Sequence, residues 1–154
     1  MSFPEEETVT DDDFPPLSSE KLEWQPEFLL GIEQIDAEHQ HLVNSASVLH
    51  RAVTENHPMQ EVELATTALL AVTRQHFESE ERLMIAAGYD EYASHKAHHD
   101  RLIDQLCEVE LELATGRYGS HRMLRLFLEV WTIQHILVAD RRLAEFLKQH
   151  ATNP

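Results

Sequence analysis

Four stretches of this chain repeat apolar residues at alternating steps of three and four, and nothing else in the sequence constrains the fold so strongly. Residues spaced this way line one face of an α-helix, so each stretch is expected to bury one helical stripe. The first stripe is Ile35, His39, Leu42, Ala46, Leu49 and Val53, ended by Asn56, His57 and Pro58. A second runs Val62, Ala65, Leu69, Val72 and His76, then Leu83 and Ala87, and stops at Gly88, a residue suited to a helix C-terminus. The third is Tyr92, His95, His99, Leu102, Leu106, Val109 and Leu113, closed by Gly116 and Gly119. The fourth, Leu124, Leu128, Trp131, His135 and Val138, follows Ser120 as N-cap and extends to about Gln149. Only 4 glycines in 154 residues argue against a turn-dense all-β fold. Short connections force neighbouring helices antiparallel, so the expected fold is all-α, an up-down-up-down antiparallel four-helix bundle.

Before the first stripe the composition changes. Residues 1–22 carry seven acidic side chains, three prolines and a single cation, Lys21. Such a segment cannot bury enough apolar surface to offset its chain entropy, and a disordered acidic tail is expected. Residues 23–35, with Trp24, Phe28, Leu29, Leu30 and Ile32 interrupted by Pro26 and Gly31, read as an extended arm packed on the bundle; residues 23–154 then form one domain.

Charge and cysteine content narrow the function. Twelve Lys and Arg against 28 Asp and Glu give a net charge of −16, which repels nucleic-acid phosphates and anionic lipid headgroups. No apolar run approaches the ~20 residues of a membrane helix, and the N-terminus MSFPEEETV lacks the regions of a signal peptide. No membrane insertion and a cytoplasmic location are expected. The lone cysteine, Cys107, excludes an internal disulfide and a thiolate-rich metal site, so any metal must be held by nitrogen and oxygen.

Eleven histidines supply the nitrogen. Spacing by itself proves little, because i, i+4 pairs arise by chance in so His-rich a chain. Position is more telling: His39, His76, His95, His99 and His135 occupy core stripes, and every stripe holds at least one of them. The remaining six, His41, His50, His57, His98, His121 and His150, fall off the stripes and are expected at the surface. Antiparallel packing brings all five core imidazoles to one half of the bundle, where leaving them unpaired would cost on the order of 1–3 kcal/mol each. A metal resolves that cost. Glu80 follows His76 by four residues and so lies on the same inner face, whereas Asp140 follows His135 by five, about 140° around an α-helix. Five imidazoles and two carboxylates exceed one tetrahedral zinc but suit two irons bridged by the carboxylates, with one ion a position short.

The segments that carry these residues are Trp24 with GIEQIDAEHQHL from Gly31, HFESEERLM from His76, GYDEYASHKAHH from Gly88, and WTIQHILVAD from Trp131. Together they resemble the hemerythrin family, in particular its stand-alone bacterial members, over Trp24 to about Gln149. The resemblance implies a non-heme di-iron centre in a four-helix bundle. His95, His99 and His135 would hold a six-coordinate iron, and His39 and His76 a five-coordinate iron. Glu80 and Asp140 would bridge the two with a solvent-derived oxygen, which gives Asp140 a role its spacing does not. Leu42, Phe77, Trp131, Ile136 and Val138 fit the family's apolar oxygen pocket, and all equally suit ordinary bundle core. Two positions depart from the family: Glu38 stands where a Gln is common before the first ligand, and Thr132 where the pocket wall usually has Leu. The Thr132 hydroxyl is expected to turn back onto the carbonyl of Leu128 and leave the pocket dry.

The implied activity is reversible O₂ binding at the open position of the five-coordinate iron, for carriage, storage or delivery, with no catalytic residues. Two alternatives stay open. One is an oxygen or redox sensor acting through a protein partner, with the acidic tail as its docking or delivery segment; the other is a di-iron oxidase, peroxidase or nitric oxide-handling enzyme.

Overall fold

The computed structural model describes residues 23–116, 127–128, 130–132 and 134–151. The acidic tail, Ser120 and Leu124 lie outside them, as does His121. Three long helices, α1 (Glu33–Thr54), α2 (Met59–Ala87) and α3 (Tyr92–Ala114), are followed by a π-helical turn (His135–Asp140) that runs into α4 (Arg141–Ala151). The described residues between 127 and 134 are also helical. Helix α2 packs along α1 on one side and along α3 on the other, and α4 also contacts it, completing a four-helix bundle.

Helix ends follow local chemistry. Helix α2 stops at Gly88, whose φ of 67° a side chain would strain, and the amides of Gly88 and Tyr89 close onto the carbonyls of Ile85 and Met84. Helix α1 begins at Glu33, so the arm ends at Ile32, sooner than the expected residue 35. Asp36 sets that junction: its carboxylate accepts the amides of Leu30 at 2.7 Å and Gly31 at 3.0 Å. Gly31 itself adopts a φ of 85°. The arm is not wholly extended, since Pro26–Phe28 form a 3₁₀ turn. Trp24 meets Phe28 edge-on at 5.3 Å, and Phe28 is buried with Val43 and Ile136, so the arm covers the seam between α1 and the π turn.

The interior is layered. One apolar cluster gathers Leu42, Leu49, Leu69, Phe77, Leu102, Leu106, Leu128 and Trp131 among its members. A second holds Leu30, Ile35, Met84, Tyr89, Leu143 and Ala144. On each helix at least one polar core residue falls between the two. His39 separates Ile35 from Leu42, and Glu80 separates Phe77 from Met84. His95 and His99 lie between Tyr89 and Leu102, and His135 and Asp140 between Trp131 and Leu143. The chain therefore places a polar band between two apolar layers.

Some stripe positions differ from expectation. Met84 and Tyr89 are buried although neither lies on a stripe. His50 is buried, not at the surface, because it sits one turn beyond Ala46 on the flank of the first stripe. Val138 is 53% exposed and belongs to none of the apolar clusters; it borders an open surface cleft together with Tyr89, His95 and His98. The π turn explains this: it places an extra residue in one turn, so a stripe counted at α-helical spacing points Val138 outward.

Candidate metal centre

Seven buried side chains converge in the polar band: His39, His76, Glu80, His95, His99, His135 and Asp140, none more than 5% exposed. Their donor atoms form two overlapping groups. Glu80, His95, His99, His135 and Asp140 make one, and His39, His76, Glu80 and Asp140 the other, with all atoms of a group within 4.8 Å of one another. Both carboxylates belong to both groups.

Each carboxylate divides its oxygens between the two sets of imidazoles. Glu80 Oε1 lies 2.5 Å from His76 Nε2 and 3.8 Å from His39 Nε2, while Oε2 lies 3.1 Å from His95 Nε2 and 3.6 Å from His99 Nε2. Asp140 Oδ2 lies 2.6 Å from His39 Nε2 and 3.4 Å from His76 Nε2, while Oδ1 lies 3.0 Å from His135 Nε2 and 3.2 Å from His95 Nε2. Asp140 reaches this place because a π turn hydrogen-bonds i to i+5, which stacks residues five apart on consecutive turns.

The donor set fits a pair of cations. Glu80 Oε1, Asp140 Oδ1, His99 Nε2 and His135 Nε2 are buried and, although close to one another, have no well-formed hydrogen bond among the described residues, an arrangement that is costly for buried polar atoms. His39 Nε2 and His76 Nε2 face each other at 3.1 Å, an arrangement that a shared cation satisfies for two neutral imidazoles.

Electrostatics point the same way. Burial raises the Glu80 and Asp140 carboxyls, yet the neighbouring imidazoles outweigh it and hold both well below the usual carboxylate range. Burial lowers His39, His76 and His95, but Asp140 and Glu80 outweigh it: His39 is raised, His76 raised strongly, and His95 raised to about 9. In His99 burial wins and the pKa is lowered. Metal-free, the cluster thus holds two carboxylates against protons on imidazoles, and cations would replace those protons.

Around the cluster, Phe77 stacks on His99 with centroids 3.8 Å apart, and Trp131 donates its indole N–H to the Leu102 carbonyl at 3.1 Å. Leu42, Phe77 and Trp131 share one apolar cluster; Ile136, also buried, packs instead with Phe28 and Val43. Thr132 overturns the expected local bond. It is fully buried and its hydroxyl has no partner among the described residues, whereas the equally buried Thr66 and Thr73 donate to the carbonyls of Val62 and Leu69. His98 is half-buried, not solvated. It stacks on His135 at 5.1 Å, and burial with the neighbouring His135 and Arg101 charges pushes its pKa down to about 4.

Sequence reasoning noticed Glu38 only as a charge beside the site. In the fold its Oε1 accepts the His76 Nδ1–H at 2.8 Å, and its Oε2 accepts the Ser79 hydroxyl at 2.8 Å. Gln34 Nε2 donates to Ser79 Oγ at 2.7 Å and to Glu38 Oε2 at 3.3 Å. Helical spacing carried the signal, since Gln34 precedes Glu38 by four residues and Ser79 follows His76 by three.

An all-helical bundle with this buried donor band defines a class, and comparison with known proteins identifies it. The Hemerythrin HHE cation binding domain matches residues 30–150, and the chain belongs to the hemerythrin family. A bacteriohemerythrin of Stenotrophomonas maltophilia is 33% identical over 131 residues, covering 84% of this chain and 83% of that protein. One of Methylococcus capsulatus is 28% identical over 116 residues, covering 75% and 87%. The crystal structure of a wild-type hemerythrin superposes with a TM-score of 0.71 at 26% identity, over 80% of this chain and 95% of that one.

Proposed function

We propose that the protein binds O₂ reversibly at a non-heme di-iron centre, with His39 and His76 on one ion, His95, His99 and His135 on the other, and Glu80 and Asp140 bridging both. The observation that carries this reading is the division of each carboxylate's two oxygens between the two imidazole groups. Two ferrous ions, if held by these residues, would supply the electron pair for O₂ uptake. One group offers five residues and the other four, so the His39–His76 side is the one left a donor short.

The chain's own residues protect that chemistry. Leu42, Phe77 and Trp131 form the apolar layer on one side of the band, and the cluster of Ile35, Met84 and Leu143 forms the other. Both exclude the water and protons that would convert a binding site into a one-way oxidation. The donor set is imidazole-rich, unlike the carboxylate-rich sites with paired Glu-x-x-His motifs that activate oxygen in ferritin-like bundles. That favours carriage or storage over catalysis.

The test is repeated cycling of anaerobic, iron-loaded, reduced protein between oxygen and argon, followed by absorption. An oxygenated spectrum that appears and disappears over several cycles is expected, with two irons per chain. Steady oxygen consumption, or oxidation in the first cycle, would overturn the reading. The unpartnered hydroxyl of Thr132 favours one alternative, a protein whose oxygenated form decays quickly and so reports or consumes oxygen.

A further inference from the structure

Of the imidazoles in the two donor groups, His39, His99 and His135 keep Nδ1 buried without a partner, while His76 alone among these four turns its Nδ1–H onto a carboxylate. We propose that Glu38 is a positioning residue for the ion held by His39 and His76, fixing the His76 ring and, through its charge, biasing that ion toward the ferric state. The proposal rests on the di-iron reading above.

The geometry is built from both helices. Helix α1 contributes Glu38 and Gln34, and α2 contributes His76 and Ser79. Glu38 Oε1 takes the His76 proton at 2.8 Å, which leaves Nε2 free to face the donor cluster. Its other oxygen is held by Ser79 Oγ at 2.8 Å and Gln34 Nε2 at 3.3 Å, so the carboxylate has little freedom to turn away. Glu38 borders a surface cleft of about 300 Å³ shared with Gln34, His41, Gln75, Ser79 and Arg82, and 25% of its side chain remains exposed. Three donors, His76 Nδ1–H, Ser79 Oγ–H and Gln34 Nε2–H, thus converge on this carboxylate while its outer edge stays in contact with solvent.

A carboxylate behind a ligating imidazole orients the ring and strengthens its donation, and removing such a partner typically costs 10–100-fold in metal affinity. Its negative charge also stabilises the more positive oxidation state. The ion concerned is the donor-poor one, so Glu38 acts on the side where oxygen would bind. The arrangement makes the ferrous form of that ion easier to oxidise than a neutral Gln in the same place would.

Two variants separate orientation from charge. Glu38→Gln keeps an acceptor for His76 Nδ1–H and removes the charge; Glu38→Ala removes both. Competition titration of the metal-free proteins with Co(II) is expected to show two sites in wild type and one of them weakened 10–100-fold in Glu38→Ala. Redox titration of the iron-loaded proteins is expected to show Glu38→Gln shifted about tenfold toward the ferrous form, ~59 mV for one electron. Wild-type protein that fails to take up two Co(II) would break the di-iron reading. With two Co(II) bound, a Glu38→Gln equilibrium within threefold of wild type, or an unweakened Glu38→Ala, would overturn the role of Glu38. Thermal melts of the metal-free variants identify any loss of fold, and Ser79→Ala, which only loosens Glu38, is then expected to reproduce part of the redox shift.

Discussion

His135 Nε2 and Asp140 Oδ1 lie 3.0 Å apart although five residues separate them in sequence. In an α-helix that spacing would turn the carboxylate about 140° away from the imidazole. The π turn between them restores the alignment and places Asp140 where both imidazole groups reach it.

Because Asp140 and Glu80 each belong to both groups, removing either is expected to cost both ions. Iron analysis of Asp140→Ala and Glu80→Ala should return less than one iron per chain. Retention of one tightly bound iron would show that the carboxylate serves one ion only.

His98 stacks on the His135 ring but belongs to neither donor group. His98→Ala should therefore keep two irons per chain, while its neighbour's variant, His99→Ala, should lose at least one. Metal content that followed His98 in place of His99 would reverse the helical register assigned to α3.

Metal-free and iron-loaded protein should respond to pH in opposite directions. His95 is raised from 6.5 to about 9 in the fold, so its stabilisation of metal-free protein is complete below 6.5 and disappears as pH rises through about 9. Glu80 and Asp140, held low, protect the metal-free fold above about pH 4 and lose that effect only in stronger acid. Ligation needs neutral imidazoles, so acid instead strips the ions from loaded protein. Melting temperatures should fall from pH 6.5 to 9 without metal and rise over the lower part of that range with it. Parallel pH profiles for the two forms would contradict this linkage.

Thr132 buries a hydroxyl without a partner. Thr132→Val is expected to stabilise metal-free protein by about 1–3 kcal/mol in denaturant titrations. The same change at Thr66 or Thr73, whose hydroxyls are bonded, should give no such gain. Thr132→Leu should also slow oxidation of the oxygenated protein about tenfold, ~1.4 kcal/mol in the barrier. Loss of stability in Thr132→Val would mean the hydroxyl has a partner after all.

Most of the bundle was legible because α-helical burial writes itself as a period. Ile35, His39, Leu42, Ala46 and Leu49 are all buried, as are His95, His99, Leu102, Leu106, Val109 and Leu113. The period misleads where the helix changes type, and so it assigned Val138 to the core and made Asp140 look remote. Resemblance to a family corrected Asp140 but not Val138. Thr132 failed for another reason: whether a helical Thr bonds its own backbone depends on its rotamer, which sequence does not encode. The role of Glu38 depended on the packing of α1 against α2, which brings His76 to it across 38 residues of chain.

The contact between His39 and Asp140 joins positions 101 residues apart, one at the start of the bundle and the other near its end. Ions gripped by both would act as a removable rivet, holding the first helix to the last. Loaded protein could then come apart only after the rivet is drawn, so its lifetime against heat or proteases would track the rate of metal release more closely than the strength of its apolar layers.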